Sequence, residues 1–170
     1  MLFRSDSDQR LHQFELSQDY TTIADVPIDA VVADTHHASR LTGPTPLYLV
    51  CTNGKRDQCC SKFGIPIVKA FNEAGAEGVW ECTHLGGHKY AAVVGVYPHG
   101  LYYQLYNPAD VAPFKQAIEQ DKIVAKGLRG RTAYSGEAQA AEYFLRQQTG
   151  EWGMGAYTLE SAEMADEGTQ

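Results

Sequence analysis

The sequence has no run of eighteen apolar residues, no excess of basic charge and no Cys-x-x-Cys pair. The first absence removes the usual signature of a transmembrane helix, and the opening MLFRSDSDQRLHQFELS lacks the uninterrupted apolar core of a secretory signal. The second argues against nucleic acid, whose binding needs a basic face, and leaves little attraction to an anionic membrane. The third weighs against a thiol-disulfide oxidoreductase. Neighbouring Cys59 and Cys60 do not restore that reading, because a disulfide between adjacent residues is strained. Only four cysteines occur in 170 residues, three of them within ten positions, which is not the framework of a secreted disulfide-rich domain. Together these absences predict a cytoplasmic protein whose cysteines stay as thiols or hold a metal.

What is present is an ordinary globular composition, 44% apolar and 21% charged, enough for one domain with a core. The net charge of −7 is unevenly spread. Five acids and no base lie between Glu151 and Gln170, leaving 16 acids against 14 bases in the rest of the chain. Three regions follow: a strand and helix extension with a connector over 1–45, a main domain over 46–150, and a flexible acidic tail over 151–170. The polar, proline-bearing Thr35 to Pro46 is the connector. The extension is short, as it would be in a fragment of a longer protein.

Within the main domain, Leu47-Tyr48-Leu49-Val50 reads as a buried strand that delivers Cys51 at its end. Pro66 opens a predicted helix to Ala74, and Gly78 to Cys82 reads as a second strand. Tyr90 to Tyr97 and Leu101 to Tyr106 form a hairpin about Pro98-His99-Gly100. Alternation puts Leu101, Tyr103 and Leu105 on one face and Tyr102, Gln104 and Tyr106 on the other. Two helices follow, Pro108 to Gln120 and Gly136 to Gln148, the latter capped by Ser135. Upstream, Arg10 to Leu16 alternates like an exposed strand, and Thr22 to Ala33 holds a short helix interrupted at Pro27. The fold class is α/β, a small mixed sheet flanked by helices.

The chemistry concentrates in "CTNGKRDQCC" and "HLGGH". Cys51 and Cys60 lie on one loop and His84 and His88 on another, each directly after a predicted strand. Thiolate and neutral imidazole are the donors that bind zinc and iron–sulfur centres, and loops on a rigid scaffold are where such sites are built. The glycines between the histidines allow the sharp fold that would turn both rings to one point. Spacing alone leaves the metal open: a Cys2His2 set suits structural zinc as well as a cluster. For Cys59, Cys82, His12, His36, His37 and His99 the plainer reading holds, a small buried hydrophobe or a surface imidazole. Lys55, Arg56 and Lys89 beside these loops are either a positive rim for an acidic partner or a solvated surface. Arg129-Gly130-Arg131 either joins that rim or ties the last helix to the sheet.

"LYLVCTNGKRDQCCSKFGIP", "VWECTHLGGHKYAAVVGVYPHGLYY" and "LRGRTAYSGEAQAAEYF" together resemble the sucrase/ferredoxin-like family. The resemblance spans about Leu47 to Arg146 and implies a thioredoxin-like ferredoxin domain. It also implies a non-Rieske [2Fe-2S] cluster with two cysteine and two histidine ligands, carried by motif onto Cys51, Cys60, His84 and His88. Of adjacent Cys59 and Cys60, the family spacing selects Cys60; Cys82 is not a ligand in that pattern. The implied function is one-electron transfer with a redox partner protein, the proton moving with the electron. The alternative from another class is a structural zinc-binding module that recognises a protein. No carboxylate pair of the kind that glycoside hydrolysis uses is evident.

Overall fold

A computed structural model describes residues 2–3, 11–12, 24–33 and 46–161. The expected connector lies almost wholly outside the described residues, as do positions 162–170 of the acidic tail. Upstream of the main domain, β1 (Leu2–Phe3) pairs antiparallel with β2 (Leu11–His12), and α1 (Ile28–Val32) starts directly after Pro27. Pro27 thus opens this short helix, where a missing N–H is harmless, and does not interrupt it.

The main domain is a five-stranded mixed sheet in the order β4-β3-β5-β6-β7, with three longer helices beside it. Its strands are β3 (Leu47–Cys51), β4 (Val79–Cys82), β5 (Val93–Tyr97), β6 (Leu101–Gln104) and β7 (Leu128–Arg131). The helices are α2 (Gln58–Glu73), α3 (Val111–Glu119) and α4 (Gly136–Thr149). β3 and β4 are parallel, joined through α2, and the remaining neighbours are antiparallel. None of the described helices is long and apolar enough to cross a membrane.

The core forms where the buried stripes of α2 and α3 meet the sheet. Cys60, Gly64, Ile67 and Phe71 recur at spacings of four, three and four along α2, one helical face. Val111, Phe114 and Ile118 do the same on α3. Phe71 stacks on Tyr48 at 4.5 Å between ring centroids, and Phe114 meets Tyr103 edge-on at 4.7 Å. Such offset and edge-on pairs suit the quadrupole of the rings. The β6 alternation is as the sequence implies, with Leu101, Tyr103 and Leu105 buried and Tyr102, Gln104 and Tyr106 more open.

Four local features differ from the sequence reading. Helix α2 begins at Gln58, eight residues before Pro66, because Asp57 caps it by accepting the Cys59 N–H at 2.8 Å. The proline therefore sits inside the helix, on its exposed side. The first hairpin strand starts at Val93, since His88–Tyr90 makes a 3-10 turn. Strand β7 has no counterpart in the sequence reading; its four residues, LRGR, carry no apolar alternation, and it is held by pairing with β6. Finally, the head of the acidic tail is packed. Met154 is buried, its N–H donates to Asp121 O at 2.7 Å, and the Ile123 N–H donates to Trp152 O at 2.8 Å.

Arg131 and Arg146 close this carboxyl-terminal side. Glu142 Oε1 accepts from Arg131 Nε at 3.0 Å and from Arg146 Nη2 at 2.9 Å. Arg146 Nη1 also donates to Gly153 O at 2.9 Å, and Arg131 Nη2 to Met154 O at 2.7 Å. Of the two roles open for the Arg-Gly-Arg stretch, Arg131 takes that of tying α4 to the sheet.

Candidate metal centre

Parallel pairing is what brings the cysteine and histidine loops together. β3 and β4 run the same way, with Cys51 opposite Cys82 in register, so the chain leaves both strands at one end of the sheet. The Thr52 N–H still donates to Cys82 O at 3.3 Å past the last strand residues. Helix α2 starts at that same end, and its first turn carries Cys59 and Cys60. Asn53 shapes the intervening loop, its Oδ1 accepting from the Lys55 and Arg56 N–H groups at 3.2 and 3.3 Å.

Cys51 and Cys60 are both 1% exposed, packed with Val93 and flanked by Leu85 and Tyr102. One ligand atom from each of Cys51, Cys60 and His84 lies within 4.8 Å of the others. Cys60 Sγ stands 3.6 Å from His84 Nδ1. The close approach depends on Gly64, whose missing side chain lets α2 press against the Cys51 carbonyl; a Cβ there would collide with that oxygen.

Neighbouring thiols and burial set the electrostatics. Burial first, then the Cys51 thiol, pushes Cys60 up to about 11. Burial likewise raises Cys82 to about 12, with Cys51 and Cys60 adding to the effect. These thiols resist ionising by themselves, so a cation is the natural complement of the pocket. Two sulfurs and an imidazole, with no carboxylate in the group, suit a borderline or soft transition metal or an iron–sulfur centre and not calcium or magnesium. The donor chemistry thus fits the cluster that the family resemblance implies.

Cys59 is exposed and outside this group; a hydrogen bond to Asp57 is the chief cause of its raised pKa. Cys82 is half-buried and stands outside the converging trio. His84 is placed with the cysteines, whereas for His88 only the backbone is described, opening the turn His88–Tyr90. Gly86 and Gly87 between them have φ of +86° and +66°, which a residue with a side chain adopts only with strain. Lys55, Arg56 and Lys89 are exposed. For Arg129 the sequence reading left two roles open, the positive rim or a tie between the last helix and the sheet. Arg129 comes from β7 to lie on the Tyr90 ring, 4.5 Å from its centroid. No local spacing signals that contact, since the two residues are 39 positions apart.

The sucrase/ferredoxin-like family profile matches residues 4–130, about three quarters of the chain. The chain belongs to the sucrase/ferredoxin-like family. No curated protein matches it significantly. Among solved structures, this family member is similar to a thioredoxin-like [2Fe-2S] ferredoxin from Aquifex aeolicus at 17% identity and a TM-score of 0.45, over 53% of this chain and 94% of that one. A cysteine-to-serine variant of the Aquifex aeolicus ferredoxin aligns at 17% identity and a TM-score of 0.44, over 51% and 99%.

Proposed function

We propose that this sucrase/ferredoxin-like chain is an electron carrier that holds a [2Fe-2S] cluster through Cys51, Cys60, His84 and His88. The observation that carries the reading is the convergence of the Cys51, Cys60 and His84 ligand atoms within 4.8 Å, buried at one end of the sheet. His88 completes the set by its place four residues after His84, across the Gly86-Gly87 bend. When bound, the cluster supplies reversible one-electron chemistry, and two neutral imidazoles in place of thiolates make it easier to reduce than an all-cysteine centre.

The chain's own contribution is to hold two thiolates out of water and to position the imidazoles. His84 turns Nδ1 toward the Cys60 sulfur, so with Nδ1 given to the metal the remaining ring proton sits on Nε2. That proton leaves more readily from the oxidised form, which couples electron uptake to proton uptake. The potential is then expected to fall by about 59 mV per pH unit where one proton accompanies one electron. A potential that stays flat from pH 6 to 10 would remove the proton-coupled part. Lys55, Arg56 and Lys89, exposed around the loops, favour an acidic redox partner protein.

A structural zinc module is the second reading, on the same donors. Zinc about 2.3 Å from sulfur and about 2.0–2.1 Å from nitrogen gives a tetrahedral S···N edge of about 3.6 Å, the Cys60 Sγ to His84 Nδ1 distance of 3.6 Å, and a tetrahedral iron holding both atoms spans a similar edge. Iron, zinc and acid-labile sulfide per chain, measured with the visible spectrum, separate the two. Two irons and two sulfides in a coloured protein are expected; one zinc in a colourless protein overturns the cluster.

A further inference from the structure

Arg129 is the feature the cluster reading leaves over. It crosses from β7 to the histidine loop and lies on Tyr90, with its Cζ 4.5 Å from the ring centroid, while Lys89 Nζ is 5.1 Å from the same ring. Gly87 makes room for it: a Cβ there would stand 2.9 Å from Arg129 Nη2 and 3.2 Å from both Arg129 Nη1 and Tyr90 Cδ2. A side chain at position 87 would therefore displace the guanidinium from the backbone immediately before His88.

Arg129 Nη1 is buried and, among the described residues, has no hydrogen-bond partner. Stacking answers the face of a guanidinium but not the N–H groups in its plane, and a charged donor shut from water without an acceptor is costly. The contrast with Arg131, two residues along, is direct. That guanidinium is met by Glu142 and by the Met154 carbonyl, whereas Arg129 is left with one unanswered donor beside a metal loop.

We propose that Arg129 is a positioning residue for the His88 half of the centre. Its guanidinium clamps Gly87 and Tyr90, and its unmatched N–H is answered by the negative charge that a filled site gains on reduction. The inference rests on the cluster reading for its electrostatic half and on the metal-free geometry for its clamping half. Below the pH range in which a proton accompanies the electron, where the reduced centre carries one more negative charge, a fixed positive charge at the loop favours reduction.

The test compares the wild-type chain with Arg129→Gln and Arg129→Lys by iron and sulfide content, reduction potential, and amide exchange of residues 86–90 in the metal-free protein. Arg129→Gln is expected to shift the ratio of oxidised to reduced protein at a set potential about tenfold toward oxidised, a potential lower by about 59 mV. It also speeds exchange at 86–90. Arg129→Lys keeps the charge without the planar fork, so it restores most of the potential and little of the exchange protection. An Arg129→Gln protein with wild-type iron, potential and exchange overturns the inference and leaves the cluster reading standing, as does one altered only in thermal stability. A wild-type protein without iron sinks the cluster reading instead, and the exchange measurement still decides the clamp. Should Arg129→Gln not fold, Arg129→Lys decides the clamp in its place: wild-type exchange at 86–90 overturns it and faster exchange supports it.

Discussion

Two buried polar clusters serve the two edges of one sheet, and they are resolved in opposite ways. On the β7 side, Glu142 Oε1 takes donors from Arg131 and Arg146, and neighbouring carbonyls take others. On the β3 and β4 side, Cys51, Cys60 and His84 converge with no carboxylate and no cation in their group. A buried polar group must find a partner. The first cluster answers its charges with a carboxylate and backbone carbonyls; the second gathers two thiols and an imidazole, with Cys60 Sγ 3.6 Å from His84 Nδ1, the donor set proposed above to hold the cluster.

Glu142→Gln tests the first half of that contrast and has the largest expected effect. Two guanidiniums would lose their common carboxylate, and removing one partner of a buried pair costs about 3–5 kcal/mol. Urea unfolding would register the loss, while metal per folded chain stays at the wild-type level. A Glu142→Gln protein that kept its stability and lost its metal would reverse the two roles.

Cys60→Ser should show the opposite pattern. Metal content falls to background, and the metal-free chain loses only about 1–3 kcal/mol for a hydroxyl placed among apolar neighbours. Elemental analysis alongside the same unfolding experiment checks both statements together.

A smaller effect appears in alkali. With the folded-state pKa of Cys60 held at about 11, above its ordinary value of 9.0, the neutral thiol is the form the fold prefers. Its contribution to the stability of the metal-free chain is whole below pH 9 and is lost as pH rises through 11. Burial shifts Tyr48, Tyr97 and Tyr103 in the same direction. The Cys60→Ser curve should therefore be shallower but not flat; a curve parallel to the wild type would assign the alkaline loss to the tyrosines and Cys82, which burial raises to about 12. Smallest of all is Cys59→Ser, expected to leave metal content unchanged and stability within about 0.5 kcal/mol, since its thiol is exposed outside the trio.

Much of the sheet was legible because its signals are local. LYLVC is apolar throughout, the Leu101 to Tyr106 alternation is a strand period, and Ser135 precedes a helical run whose Ala138 N–H it accepts at 3.3 Å. The start of α2 was misplaced because Pro66 reads as a first-turn residue, while the real cap, Asp57, lies in a polar loop that looks like a connector. β7 escaped because a four-residue edge strand of two arginines, a leucine and a glycine has no pattern of its own. Its pairing with β6 and the docking of α4 supply what the local sequence lacks.

The sequence by itself determined which donor-type side chains follow which strand, Cys-x8-Cys from the end of one and His-x3-His after the next. Ligand type and spacing are local properties, readable one segment at a time. Only the tertiary structure decided that β3 and β4 run parallel and so place both loops at one end of the sheet. It also decided that Cys60, on the buried stripe of α2, turns inward while Cys59 does not. That selection follows from the roughly 100° turn between successive helical residues once the cap at Asp57 sets the phase of the helix. Arg129 belongs to the same class, because a contact between residues 39 positions apart exists only after the intervening strands have paired.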